Sequence, residues 1–112
     1  MGNDYDSEGV FECLCNATIF LASGNANLKE RLKTVAIGHL YPLILDRFPD
    51  DIKGKVKSNI WDILFPGGIE IEKNIDSLDD ETCKKVAEAI VRITCEIAIA
   101  REKSWGQESD KN

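Results

Sequence analysis

Histidine occurs once, at His39, so no metal or catalytic arrangement that needs two imidazoles can be assembled within one chain. The paired C-x-x-C and H-x-x-x-H elements that mark zinc sites are also missing. Gly54-Lys55 has no glycine five residues upstream, which removes the phosphate-binding G-x-x-x-x-G-K loop. The longest apolar runs, such as Ile97 to Ala100 and Leu43 to Leu45, fall far short of the ~20 residues that span a bilayer. The first residues carry Asp4, Asp6 and Glu8 where a secretory signal needs positive charge before an apolar stretch. The expectation is a cytoplasmic protein with no membrane segment. There is no internal repeat, low-complexity segment or sustained heptad, which excludes solenoids and long coiled coils.

Four cysteines are present, and their spacing argues against a shared role. Cys13 and Cys15, two apart on a helix, diverge by about 200°, while Cys83 and Cys95 lie about 120° apart around theirs. All four are expected as free, small buried hydrophobes, with no metal and no cofactor. Asn16-Ala17-Thr18 matches a glycosylation sequon, but a helical position in a cytoplasmic chain makes it uninformative.

What is present is a globular composition, 43% hydrophobic and 30% charged over 112 residues. That length supports one domain, 1–112, able to bury a core without staples. The net charge is −6, which disfavours direct binding to nucleic acid. Residues 1–27 contribute −4 and residues 58–112 contribute −5, whereas 28–57 contribute +3 through Lys29, Arg31, Lys33, Arg47, Lys53, Lys55 and Lys57. A solvated helix face is the plain reading of that basic middle, and a docking patch for an acidic partner is the other.

Periodicity gives helices throughout. Ser7 is a candidate N-cap for a helix ending at Gly24, with Val10, Phe11, Cys13, Leu14, Ala17, Thr18, Phe20 and Leu21 on one broad apolar face. Asn27 followed by Glu30 resembles a capping box for a second helix bearing Leu28, Leu32, Val35 and Ala36. His39 falls on that face, as a partly buried side chain. Pro42 would kink or restart the helix near Tyr41. Pro49-Asp50-Asp51 starts a third helix, from about Asp51 to Phe65, with a core face of Ile52, Val56, Ile60, Ile63 and Leu64 and with Trp61 and Phe65 toward the flank. Residues 66–76 read as an extended connection, because Ile69-Glu70-Ile71-Glu72 alternates with period two and no second strand is available to pair with it. Ile69, Ile71 and Ile75 would anchor it in the core. Ser77 with Asp80 then caps a last helix reaching Lys103. The fold class is all-α: a compact bundle of four or five helices, one extended loop at about 66–76, and mobile ends at 1–6 and 106–112.

The last helix is the most informative segment. Cys83, Val86, Ala87, Ala89, Ile90, Val91, Ile93, Thr94, Ile97, Ala98 and Ala100 fill an arc of about 200°, twice the stripe an ordinary surface helix needs, so other helices must wrap it. Ile99 lies outside that arc, beside Glu88 and Arg92 on the charged side, which marks a second contact surface.

These features point to a non-enzymatic, acidic protein-binding module: an inhibitor, immunity-type protein or adaptor that occupies a partner's basic surface. Ile99, Trp61 and Trp105 would supply apolar anchors, with Glu88, Arg92 and Glu96 as the polar surround. The alternative is a homodimer or complex subunit in which the wide apolar face of the last helix is completed by a second chain. The third reading is a small enzyme in which His39 works with a cysteine or with Asp46. The acidic pairs Glu70 and Glu72, or Asp79 and Asp80, are explained by solvation and helix capping rather than by a cation.

Overall fold

The computed structural model describes the backbone of residues 7–24, 26–41, 43, 45 and 48–111, and the side chains of residues 9–24, 26–41, 43, 45 and 48–100. It is an all-α bundle with 83% of the chain in helices and no strand among the described residues. The helices are α1 (Ser7–Ser23), α2 (Leu28–Val35), α3 (Asp50–Val56), α4 (Asp62–Leu64), α5 (Ile71–Ser77) and α6 (Asp80–Lys111). Two π turns interrupt them. Ala36–Leu40 continues α2, and Lys57–Trp61 joins α3 to α4, so that five helical rods result.

α6 is the central rod, packed by α1, α2, α3 and the second π turn, but the covered arc is narrower than expected, since Val91 and Ala100 are exposed. α1 runs antiparallel to it. Thr18 and Thr94 share a hydroxyl hydrogen bond of 3.1 Å, and the buried Thr94 Oγ1 also donates to the Ile90 carbonyl at 2.8 Å. Leu14, Leu32, Leu40, Ile60, Leu64, Ile75, Ile90 and Ile97 form the fully buried centre of the core.

The π turns decide which residues reach that core. Such a turn inserts one residue into an α-helix, so each later position takes the angular place of its predecessor. After Ala36–Leu40, Leu40 occupies the core position that a regular helix would have given His39. His39 is displaced to the flank and half-buried. In the third rod Ile52, Val56, Ile60 and Leu64 are all buried, although on a regular helix an i+4 series drifts about 40° per step. The turn at Lys57–Trp61 cancels that drift and leaves Ile63, expected in the core, half-buried.

Local chemistry fixes most of the ends. Asn27 Oδ1 accepts the Glu30 N–H at 2.9 Å, starting α2 as the sequence indicates. Gly24 ends α1, its N–H bonding the Phe20 carbonyl at 2.9 Å. A Cβ there would sit 2.7 Å from Arg31 Cδ, and Arg31 uses that space to reach back to the carbonyls of Leu21 and Ala26. Lys33 ties α2 to α5 through Asp76 at 2.6 Å and also pairs with Glu30 at 3.0 Å. These hydrogen-bonded carboxylates, Asp76 first, hold the Lys33 ammonium above its ordinary value.

The basic middle of the sequence is thereby largely consumed within the fold. Lys29 donates to the Asp76 carbonyl at 3.2 Å, Lys53 pairs with Asp50, Lys55 with Glu96 and Lys57 with Asp62. Arg47 lies outside the described residues.

Four expectations are corrected. The connection at 66–76 is extended only in its first part, and Ile71–Ser77 is helical. Ile71 and Ile75 stand four apart and point inward together, half-buried and buried, while the two-residue alternation over 69–72 is too short to compete. Ile69, expected as a core anchor, is exposed. Ser77 closes α5 by donating to the Asn74 carbonyl at 2.6 Å, and Asp79 caps α6 instead, accepting the Thr82 N–H at 2.8 Å. α6 passes Lys103 and reaches Lys111, since no proline follows and Gly106 alone costs only about 1 kcal/mol.

The cysteines also divide. Cys83 is buried, and that burial pushes its thiol upward, but Cys95 is exposed on α6, not the buried hydrophobe expected of it. Residues 1–6, Pro42 and so the kink or restart expected there, Asp46, residue 112 and the side chain of Trp105 lie outside the described residues; the stretch 106–111 is helical backbone.

The Asp79 cap has a pH signature. Hydrogen bonding from Thr82, hydroxyl first and N–H second, lowers its carboxyl below the ordinary 3.8. A lowered carboxylate contributes stability that is present above 3.8 and lost as pH falls through the folded-state value. Asp79→Asn keeps an acceptor at the N-cap but cannot titrate. The melting temperature of the variant is expected to fall less than that of the wild type between neutral pH and about pH 2. Equal acid sensitivity would remove Asp79 as a contributor.

Candidate partner-binding surface

Six large hydrophobics are exposed among the described residues, and three of them converge: Ile37 (44% exposed), Tyr41 (63%) and Ile69 (46%). Together with Phe65 and Ile71 they line a groove of about 670 Å³ between the end of the α2 rod and the start of α5. Among the described residues its charged lining consists of two carboxylates, Glu70 and Glu72, and no cation.

Both π turns lead to this groove. Ala36–Leu40 closes with the Tyr41 N–H on the Ala36 carbonyl at 2.7 Å, placing Ile37 and Tyr41 four apart on the outer side. Lys57–Trp61 ends on Trp61, whose carbonyl accepts the Phe65 N–H at 2.8 Å. Four rings then run from the core to the surface. Phe48 meets Trp61 edge-on with centroids 6.0 Å apart, Trp61 meets Phe65 at 5.2 Å, and Phe65 meets Tyr41 at 5.7 Å. Phe48 is buried and Tyr41 exposed, so the groove has a rigid floor continuous with the core.

The loop between α4 and α5 forms the remaining wall. Gly67 and Gly68 adopt φ of 86° and 77°, the left-handed region that favours glycine. Asn74 holds the loop from beneath: its buried Nδ2 donates to the Ile63 carbonyl at 2.7 Å and to the Leu64 carbonyl at 3.3 Å. These are carbonyls of the last helical turn, which has no intrahelical donors to receive. Asn74 therefore sets the angle at which the chain leaves α4 toward Phe65 and Ile69.

The residues singled out in the sequence are only partly brought together. Glu88, Arg92 and Glu96 line a second groove, of about 560 Å³, across α6 from the third rod, where Glu96 pairs with Lys55 at 3.3 Å. Glu88 and Arg92 also border an apolar hollow on the α1 side, beside Leu21, Ala22 and Val91. Ile99 is 53% exposed on α6, as its place outside the apolar arc indicates. Trp61 stands apart from all of these, half-buried behind Phe65. His39 is half-buried on the flank of the α2 rod. Ile37, Tyr41 and Ile69 were not identified from sequence, because the groove joins segments far apart in the chain and the π turn that aims two of them has no simple sequence signal.

The chain matches no protein-family model, no curated protein and no solved structure.

Proposed function

We propose that this chain is a non-enzymatic protein-binding module, acting in the cytoplasm as an inhibitor, immunity-type protein or adaptor, and that it engages its partner through the Ile37–Tyr41–Ile69 groove. The observation that carries this reading is the convergence of three exposed hydrophobics on one rigid aromatic floor. Exposed apolar residues scattered singly need no explanation, whereas a contiguous patch with a polar rim marks an interaction site. Burying a Tyr and two Ile side chains together supplies the central anchor cluster that protein interfaces use. The acidic sign of the chain matches a basic partner.

The test is affinity capture from native lysate with wild type, Ile69→Asp and Ile99→Asp side by side. A stoichiometric partner retained by wild type and Ile99→Asp but lost by Ile69→Asp is the expected result. Retention by all three would refute the groove as the binding site. The second reading, self-association through α6, is favoured by the exposure of Val91, Cys95 and Ile99 along one i+4 row of that helix. It would hold if the species captured were the chain itself and Ile99→Asp were the variant that lost it.

A further inference from the structure

We infer that the occupant of the groove is a short basic-apolar segment of another protein, inserting one bulky aliphatic or aromatic side chain between Tyr41, Phe65 and Ile69 and laying a neighbouring Lys or Arg against Glu70 and Glu72. This rests on the reading that the groove is the binding site, and it goes further by fixing the sign and spacing of what binds there.

The charge pattern carries the inference. Glu70 and Glu72 are exposed, two apart, and line the groove together with Ile69 and Ile71 at the start of α5. By contrast, Asp76 and Asp62, the carboxylates that flank this pair in the chain on either side, are held by Lys33 and Lys57. Glu70 and Glu72 have no such lysine among the described residues that line the groove. An apolar pocket with two carboxylates on its rim discriminates by sign: a cation beside the anchor gains two charge partners, and an anion meets like charge that costs affinity. Tyr41 and Phe65 add ring faces on which an Arg or Lys stem can pack. The two grooves bordered by Glu88 and Arg92 lack this combination, because Lys55, Lys85 and Arg92 offset Glu88 and Glu96 in the one, and Arg92 stands beside Glu88 in the other.

The experiment uses the full chain labelled with nitrogen-15 and three short synthetic peptides of equal length, alternating leucine with lysine, leucine with glutamate, and serine with lysine. The leucine–lysine peptide is expected to shift the amide signals of Gly67, Gly68 and Ile69. Reversing both rim charges, Glu70→Lys with Glu72→Lys, is expected to weaken it about tenfold, since both side chains are exposed and each contributes modestly. Circular dichroism checks that the doubly substituted chain stays folded. Equal binding of the leucine–glutamate peptide in the groove would overturn the basic-partner inference and leave the groove standing as a site. Equal binding of the serine–lysine peptide, or shifts spread over α1 and α6, would reduce the effect to general attraction by an acidic chain and overturn the inference as well. Failure of the groove itself is read separately, from lysate capture that survives Ile69→Asp.

Discussion

Replacing Ile90 by alanine is expected to destabilise the fold by about 2–5 kcal/mol, the range for truncating a large aliphatic side chain in a closed core. Ile90 is fully buried at the middle of α6, the helix that every long rod touches. Its removal leaves a void that α1, α2 and the third rod cannot all close at once, because each is also fixed to the others. A domain of this size is stable by about 5–15 kcal/mol, so the loss consumes a large share of the total. Ile99→Ala on the same helix removes the same atoms from an exposed site and is expected to change stability by less than about 0.5 kcal/mol. Urea denaturation of the two variants at matched concentration checks this directly. A small effect at Ile90 would mean that α6 is not the centre of the core.

The second large effect concerns Asn74, which links stability to the groove. Asn74→Asp replaces an amide that donates to two carbonyls by a carboxylate that can only accept when ionised. The carbonyls of Ile63 and Leu64 then lose their donor and face a negative charge in a buried setting. Losing hydrogen bonds at a buried site costs about 1–3 kcal/mol, and the like-signed contact adds to it. Leu64 is in the core and Phe65 begins the groove, so the damage should spread outward along the ring series. Trp61 packs edge-on against Phe65, and its fluorescence in a Trp105→Phe background is expected to report the disturbance. Unchanged emission with native stability would show that the α4 end is held by something other than Asn74.

Much of the architecture was legible because helices write their own periodicity. The Asn27 cap, the stop at Gly24, the helix start after Pro49 and most of the α6 arc each depend on neighbours within a few residues, and the structure contains them, with Val91 and Ala100 of that arc left exposed. Misreadings occurred where two local signals competed over a short stretch. Ile69 to Glu72 alternates like a strand, yet Ile71 and Ile75 also fit a helix, and only burial of Ile75 and Asn74 against α2 and α4 decided between them. Ser77 and Asp79 are both good caps, and the choice fell to Asp79 once α5 had claimed Ser77.

The candidate site divides in the same way. Sequence placed Glu88, Arg92 and Ile99 on the exposed side of α6, since one helix fixes their relation, whereas Glu96 is half-buried against Lys55 of the third rod. It could not place Ile37, Tyr41, Phe65 and Ile69 together, because their proximity depends on how the α2 rod, the third rod and α5 pack. By itself, then, the sequence determined an all-α fold, a central last helix and an acidic surface, all of which follow from composition and from contacts three or four residues apart. The tertiary structure decided the two π turns, the exposure of Ile69 and the assembly of one aromatic groove with an acidic rim. Those depend on closing a core whose rods must each give up or gain a residue to fit, and no local pattern carries that information.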